Sequence, residues 1–121
     1  MKSALILFAH GSRDPEWALP FRAVREKVAS KKPDLQVELA FLELMQPTLP
    51  SAVARLVSSG HQHITIAPLF MAQGAHLKRD LSLLIAELRE RHGGIAFKLL
   101  PAAGEAESVM DAVSTWLAAN V

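Results

Sequence analysis

The sequence predicts a three-layer α/β domain: a four-stranded parallel sheet of order 2-1-3-4 with helices on both faces. Three observations carry this. Four apolar runs alternate strictly with four stretches of helical period, the first and third runs are almost wholly apolar, and 121 residues suit one domain.

The strand-like runs are residues 4–9, 37–42, 64–69 and 95–100. The first and third read as strands buried on both faces. Glu38 interrupts the second and Lys98 the fourth, which suits sheet edges, where charge discourages further pairing. In the first helix Trp17, Phe21, Val24 and Val28 share a face, and Pro20 either starts the regular helix or kinks it. Thr48 is placed to cap the second, with Pro50 in its first turn, Leu49, Val53, Leu56 and Val57 on one face and Gly60 at its stop. Leu77, Leu81, Leu84, Ile85 and Leu88 repeat the spacing up to Gly93-Gly94. Val109, Met110, Val113, Trp116 and Leu117 form the last stripe, with Glu105 and Glu107 near its positive end. Right-handed crossovers leave few topologies, and the order 2-1-3-4 puts the two most apolar strands in the middle.

In that order the winding reverses between strands 1 and 3. Open α/β sheets bind ligands at the carboxyl ends of strands at such a point. His10 follows strand 1, Glu43 follows strand 2, and His76 lies just beyond strand 3. All three converge on one sheet edge. Neutral imidazole is a common ligand for first-row metals, and two of them leave most coordination positions open. That suits an ion held briefly and passed on. Glu43 has apolar neighbours, surroundings that fit a carboxylate for proton transfer. The loop Phe70, Met71, Ala72, Gln73, Gly74, Ala75 is apolar where a connection is usually polar, so it could line a flat apolar ligand or meet a second subunit. Met45, two residues after Glu43, joins it as a substrate-binding candidate. His61 and His63 fall at the opposite end and read as surface residues, and His92 reads as a helix C-terminal residue. The loop 101–104 shows no evident chemistry.

Composition narrows the classes. A net charge of +1, from 13 basic and 12 acidic residues, gives no basic face for nucleic acid. No run reaches the roughly 18 apolar residues that span a bilayer, and the N-terminus lacks the pattern of a signal peptide. With no cysteine there is neither disulfide nor thiolate ligand, in keeping with a cytoplasmic protein. Gly11 stands alone, so neither a dinucleotide fingerprint nor a P-loop is present. A metal carrier and a phosphoryl-transfer enzyme with His10 as nucleophile remain open on these residues alone.

Three stretches resemble the small sirohydrochlorin cobaltochelatases of the CbiX type, among the class II chelatases. They are His10-Gly11-Ser12-Arg13-Asp14-Pro15; Ala40-Phe41-Leu42-Glu43 with Pro47 after it; and Pro68-Leu69-Phe70-Met71-Ala72-Gln73-Gly74-Ala75-His76 with Asp80 after it. The resemblance covers essentially the whole chain. It implies one chelatase-like (flavodoxin-like) domain over 1–121, insertion of a divalent metal into sirohydrochlorin toward cobalamin, and a homodimer. The metal is a substrate, usually Co2+, with Fe2+ and Ni2+ as alternatives, and no permanent cofactor is implied. By resemblance His10 and His76 bind the metal, His10 is a proton acceptor, Glu43 falls at an acidic site position of related ferrochelatases, and the 70–75 loop contacts the tetrapyrrole. Met71 where leucine is common, and Leu81-Ser82 where isoleucine-proline is frequent, are departures.

Overall fold

The computed structural model describes residues 2–121. Its elements run β1 (Ser3–Ala9), α1 (Leu19–Lys31), β2 (Gln36–Phe41), α2 (Leu49–Ser58), β3 (His63–Pro68), α3 (Ala75–Arg91), β4 (Ala96–Leu99) and α4 (Glu107–Ala118). Short 3-10 turns at Pro15–Ala18 and Ala103–Glu105 precede α1 and α4. All strands are parallel, in the order β2-β1-β3-β4, as the sequence predicts. Leu7 sits opposite Leu39 on one side and Ala67 on the other, which fixes the register of the two central pairings.

Alternation along the strands sorts the core into two layers. Ala4, Ile6, Phe8, Ile64 and Ile66 face α2 and α3, joining Leu49, Val53, Leu56, Leu81, Ile85 and Leu88. Leu7, Ala9, Val37, Leu39 and Phe41 face the other way, toward Trp17, Phe21 and Val28. Ile6 and Ile66 are wholly buried at 0% exposure, and each such side chain contributes about 1.5–3 kcal/mol.

The helix boundaries follow local chemistry. α1 begins at Leu19 with Pro20 in its first turn, so the proline starts the helix and does not kink it. Trp17 lies ahead of it, in the 3-10 turn that Asp14 caps by accepting the Glu16 amide at 3.0 Å. The Thr48 hydroxyl accepts the Ser51 amide and caps α2 as expected. α3 ends at Arg91, with His92 as its cap, before the glycine pair.

Two expectations are corrected. His61 is buried, because its Nδ1 bonds the Leu56 carbonyl at 3.0 Å and draws the ring under the end of α2. The apolar stripe of α4 does not enter either core layer: none of its residues is buried, and Trp116 and Leu117 are 66% and 54% exposed. Glu105 ends the 3-10 turn just ahead of α4 and Glu107 opens the helix, so both stand near its positive end as expected. Among the described residues no helix is long and apolar enough to cross a membrane.

Candidate functional site

The carboxyl ends of β1 and β3 lie side by side, with Phe8 opposite Pro68. His10 is the first residue beyond β1. It is exposed, and its ring rests on the buried ring of Phe70 at 4.7 Å between centroids. Phe70 in turn meets Phe8 edge-on at 5.8 Å. A core aromatic pair therefore holds the imidazole at the sheet edge. Neither ring nitrogen of His10 has a hydrogen-bond partner among the described residues.

Backbone contacts bring the β2–α2 loop to the same place. The Leu42 amide donates to the Ala9 carbonyl at 2.9 Å, and the Glu43 amide to the His10 carbonyl at 3.1 Å. Gly11 makes that approach possible. Its φ is +94°, and a Cβ there would fall 1.8 Å from the Glu43 carbonyl oxygen. Beyond Glu43 the loop turns tightly: the Met45 amide bonds the Glu43 carbonyl at 2.8 Å around Leu44, whose φ is +66°. Positive φ at a leucine is strained backbone, and the neighbouring bonds hold it in place. Glu43, Leu42 and Leu44 are exposed, so within one chain the apolar enclosure expected around the Glu43 carboxylate is absent.

A crevice of about 400 Å³ opens between this loop and α3, lined by Phe8, Leu42, Glu43, Leu77, Asp80, Leu81 and Leu84. Its size lies toward the lower end of small-molecule sites. His76, in the first turn of α3, is four residues before Asp80 and shares its helix face. It too is exposed with no partner on its ring among the described residues. Of the expected substrate-binding residues, Met71, Ala72, Gly74 and Ala75 are exposed at this edge. Phe70 is in the core, and Met45 packs against the α1-side layer. No group of three or more His, Asp or Glu side chains among the described residues could hold a metal by itself.

Sequence reasoning missed three residues here. Asp80 adds a second carboxylate to the crevice, and its spacing from His76 was the available signal. Gly104, in the loop read as without chemistry, and Glu105, read only as an acidic residue near the positive end of the last helix, fasten the 70–75 loop. The Gly104 amide donates to the Phe70 carbonyl at 2.9 Å, with its Cα packed on the Met71 backbone. Glu105 accepts from Gln73 Nε2 at 2.8 Å and from the Ala102 amide at 3.2 Å, and pairs with Lys78 at 3.6 Å. The Gln73 bond, the Ala102 amide and the Lys78 charge together hold its carboxyl below the ordinary value of 4.5.

The sequence profile of the CbiX family matches residues 4–119, nearly the full span of this fold. The chain belongs to the CbiX family. This CbiX-family chain is 34% identical over 89 residues to the sirohydrochlorin cobaltochelatase of Methanocaldococcus jannaschii, a match covering 74% of this chain and 62% of that protein. The chain thus spans about three-fifths of that curated relative. Its fold superposes on a chain from Marinobacter aquaeolei VT8 that carries the CbiX name, with a TM-score of 0.84, 29% identity, and coverage of 98% and 96% of the two chains. It also superposes on the sirohydrochlorin chelatase SirB of Bacillus subtilis subspecies spizizenii, solved in complex with cobalt. There the TM-score is 0.79 at 30% identity, over 95% of this chain and 49% of the other.

Proposed function

We propose that this protein inserts a divalent metal, Co2+ foremost, into sirohydrochlorin. One observation carries the reading: a crevice at the carboxyl edge of the sheet holds two carboxylates, Glu43 and Asp80, and is flanked by two imidazoles with unengaged nitrogens, His10 and His76. The similarity to the cobaltochelatase and the cobalt-bound chelatase described above supports it.

His10 and His76 hold the incoming ion as neutral imidazoles. Sirohydrochlorin must lose two pyrrole protons as metal–nitrogen bonds form. His10, Glu43 or Asp80 accepts them, and the metal leaves the imidazoles as the ring nitrogens replace them. Holding ion and ring together lowers the entropic part of the barrier. The apolar wall of Leu42, Leu77, Leu81 and Leu84 and the exposed Met71, Ala72, Gly74 and Ala75 seat the ring. Arg13 and Arg79, exposed and without an ion pair among the described residues, meet its peripheral carboxylates. The metal is substrate, and no permanent cofactor is required.

One chain supplies one wall of the site. This chain covers 49% of the Bacillus chelatase, so two copies of a single 1–121 domain match its length. A cytoplasmic homodimer that binds neither nucleic acid nor membrane completes the proposal.

The test is anaerobic insertion with Co2+, Fe2+ and Ni2+ in turn, followed by visible absorbance. The expected result is conversion of the sirohydrochlorin spectrum, with His10→Ala and His76→Ala slower by on the order of 100-fold. Wild-type rates in both variants at saturating cobalt overturn the assignment. An unchanged sirohydrochlorin spectrum beside normal cobalt binding identifies a carrier instead.

A further inference from the structure

The amino end of the sheet, opposite the metal crevice, holds a second cavity. Its volume of about 460 Å³ lies within the range of small-molecule sites, and it opens between the end of α2, the start of β2 and the loop before β2. It shares no lining residue with the crevice. Its inner wall is His61, which is 8% exposed. The Leu56 carbonyl accepts both the His61 amide and the ring Nδ1, each at 3.0 Å. A carbonyl only accepts, so Nδ1 carries the proton and Nε2 presents a lone pair. Capping the end of α2 accounts for Nδ1 and leaves Nε2 without a partner among the described residues. Charge around the cavity is sorted by element. Arg55 of α2 and Lys2, ahead of β1, supply two cations; Asp34 and Glu38, from the loop before β2 and from β2 itself, supply two carboxylates. Lys2 Nζ donates to the Ser59 carbonyl at 2.8 Å, and Glu38 accepts from Gln36 Nε2 at 2.9 Å. Among the described residues no ion pair joins the two sets across the cavity.

We propose that this cavity binds a free amino acid as its zwitterion. The ligand's carboxylate takes the Arg55 guanidinium in a two-point bond and one of the remaining Lys2 donors. Its ammonium group has three N–H donors, which match the Asp34 and Glu38 carboxylates and the His61 Nε2 lone pair. Unpaired charges of both signs select such a ligand over simpler ones. A plain anion meets Asp34 and Glu38, a plain cation meets Arg55 and Lys2, and either pays for a like-charge contact. A divalent metal is not the occupant, because no group of three or more His, Asp or Glu side chains among the described residues could hold one. Pro33, Leu35 and Leu56 give the wall an apolar part for the ligand's side chain. The site goes beyond the metal-insertion reading and uses none of its residues. An occupant that binds only the folded chain stabilises it, so binding also registers as a raised melting temperature.

The test uses the wild-type protein without metal or tetrapyrrole. It is titrated calorimetrically with each common amino acid, and with acetate, ethylamine and inorganic phosphate for comparison. The expected result is that at least one amino acid binds with a dissociation constant below about 1 mM, and the three simple ions at least about 10-fold more weakly. Amide shifts in nuclear magnetic resonance spectra should centre on Gln36, Leu56 and His61. Arg55→Met and Glu38→Gln remove one charge from each set. With circular dichroism spectra like the wild type, each should weaken the best amino acid at least about 10-fold. No amino acid bound at about 10 mM overturns the proposal. So does acetate or phosphate binding as tightly as the best amino acid, which marks a plain anion site, and so do variants that bind like the wild type. Cobalt insertion is assayed on separate samples, so failure of the amino acid site and failure of the metal-insertion reading are told apart.

Discussion

The Glu43 amide donates to the His10 carbonyl at 3.1 Å, and Gly11, the residue after His10, leaves no room for a side chain against the Glu43 carbonyl. An acidic residue after β2 and an imidazole after β1 are therefore held in register by backbone and do not depend on side-chain contact. Gly11→Ala should break that register twice over, through left-handed backbone strain and through overlap with the Glu43 carbonyl. The expected loss is about 1–3 kcal/mol from strain alone, read from urea denaturation. A variant as stable as wild type would show that the loop gives way freely.

Phe70 links the fold to the metal-binding proposal. Its ring is 3% exposed, packs on Phe8, and carries the His10 ring. Phe70→Leu keeps an apolar side chain in the core but removes both ring contacts. Stability should fall by about 1–1.5 kcal/mol, and cobalt affinity should fall with it as His10 gains freedom. Calorimetric titration with cobalt checks the second effect. Unaltered affinity would mean that His10 needs no aromatic support.

Glu105 gives a pH dependence whose sign is determined. Its folded carboxyl sits below the ordinary 4.5, through the Gln73 bond first, then the Ala102 amide and Lys78. A depressed acid contributes stability above its unfolded value and loses it as pH falls through the folded value. Wild type should therefore exceed Glu105→Gln in denaturation midpoint at pH 7, and the two should converge in the acid range below 4.5. The group is exposed, so the gap at pH 7 is small and shrinks in high salt. A gap that persists unchanged at low pH would assign the effect to packing.

The sheet order was legible because β1 and β3 are apolar on both faces, whereas Glu38 and Lys98 mark β2 and β4 as edges. The contact of His10 with Glu43 was legible because each follows a strand of known place in that order, and His76 was expected at the same edge because it follows β3. The stripe of α4 was legible too, but periodicity shows only that a face wants cover, not what covers it. Glu105 was illegible for a related reason. Its partner Gln73 is 32 residues away, and nothing local signals a bond between two loops. His61 was misread because a histidine beside a helix stop usually reaches solvent, and here a carbonyl of the preceding helix claims its ring.

Two glycines near the proposed site should respond unequally to the same change. Gly104 packs on Met71, and a Cβ there would lie 1.4 Å from the Met71 carbonyl oxygen. That atom is backbone in the loop leading to His76, so it cannot swing aside as a side chain would. Gly104→Ala must push the 70–75 loop and the base of α4 apart, breaking the Gly104–Phe70 bond and with it the Glu105–Gln73 contact. Gly74 caps α3 with φ −73° and ψ 167°, a conformation open to any residue, and a Cβ there meets nothing within 4 Å. Gly74→Ala loses a mild capping preference and gains by restricting the unfolded chain, so the two terms nearly cancel, to within about 0.5 kcal/mol. Urea denaturation and cobalt insertion rates on the pair provide the check. Gly104→Ala should be destabilised and slow, and Gly74→Ala close to wild type in both. Equal behaviour of the two would mean that the Gly104 contact does not position the loop.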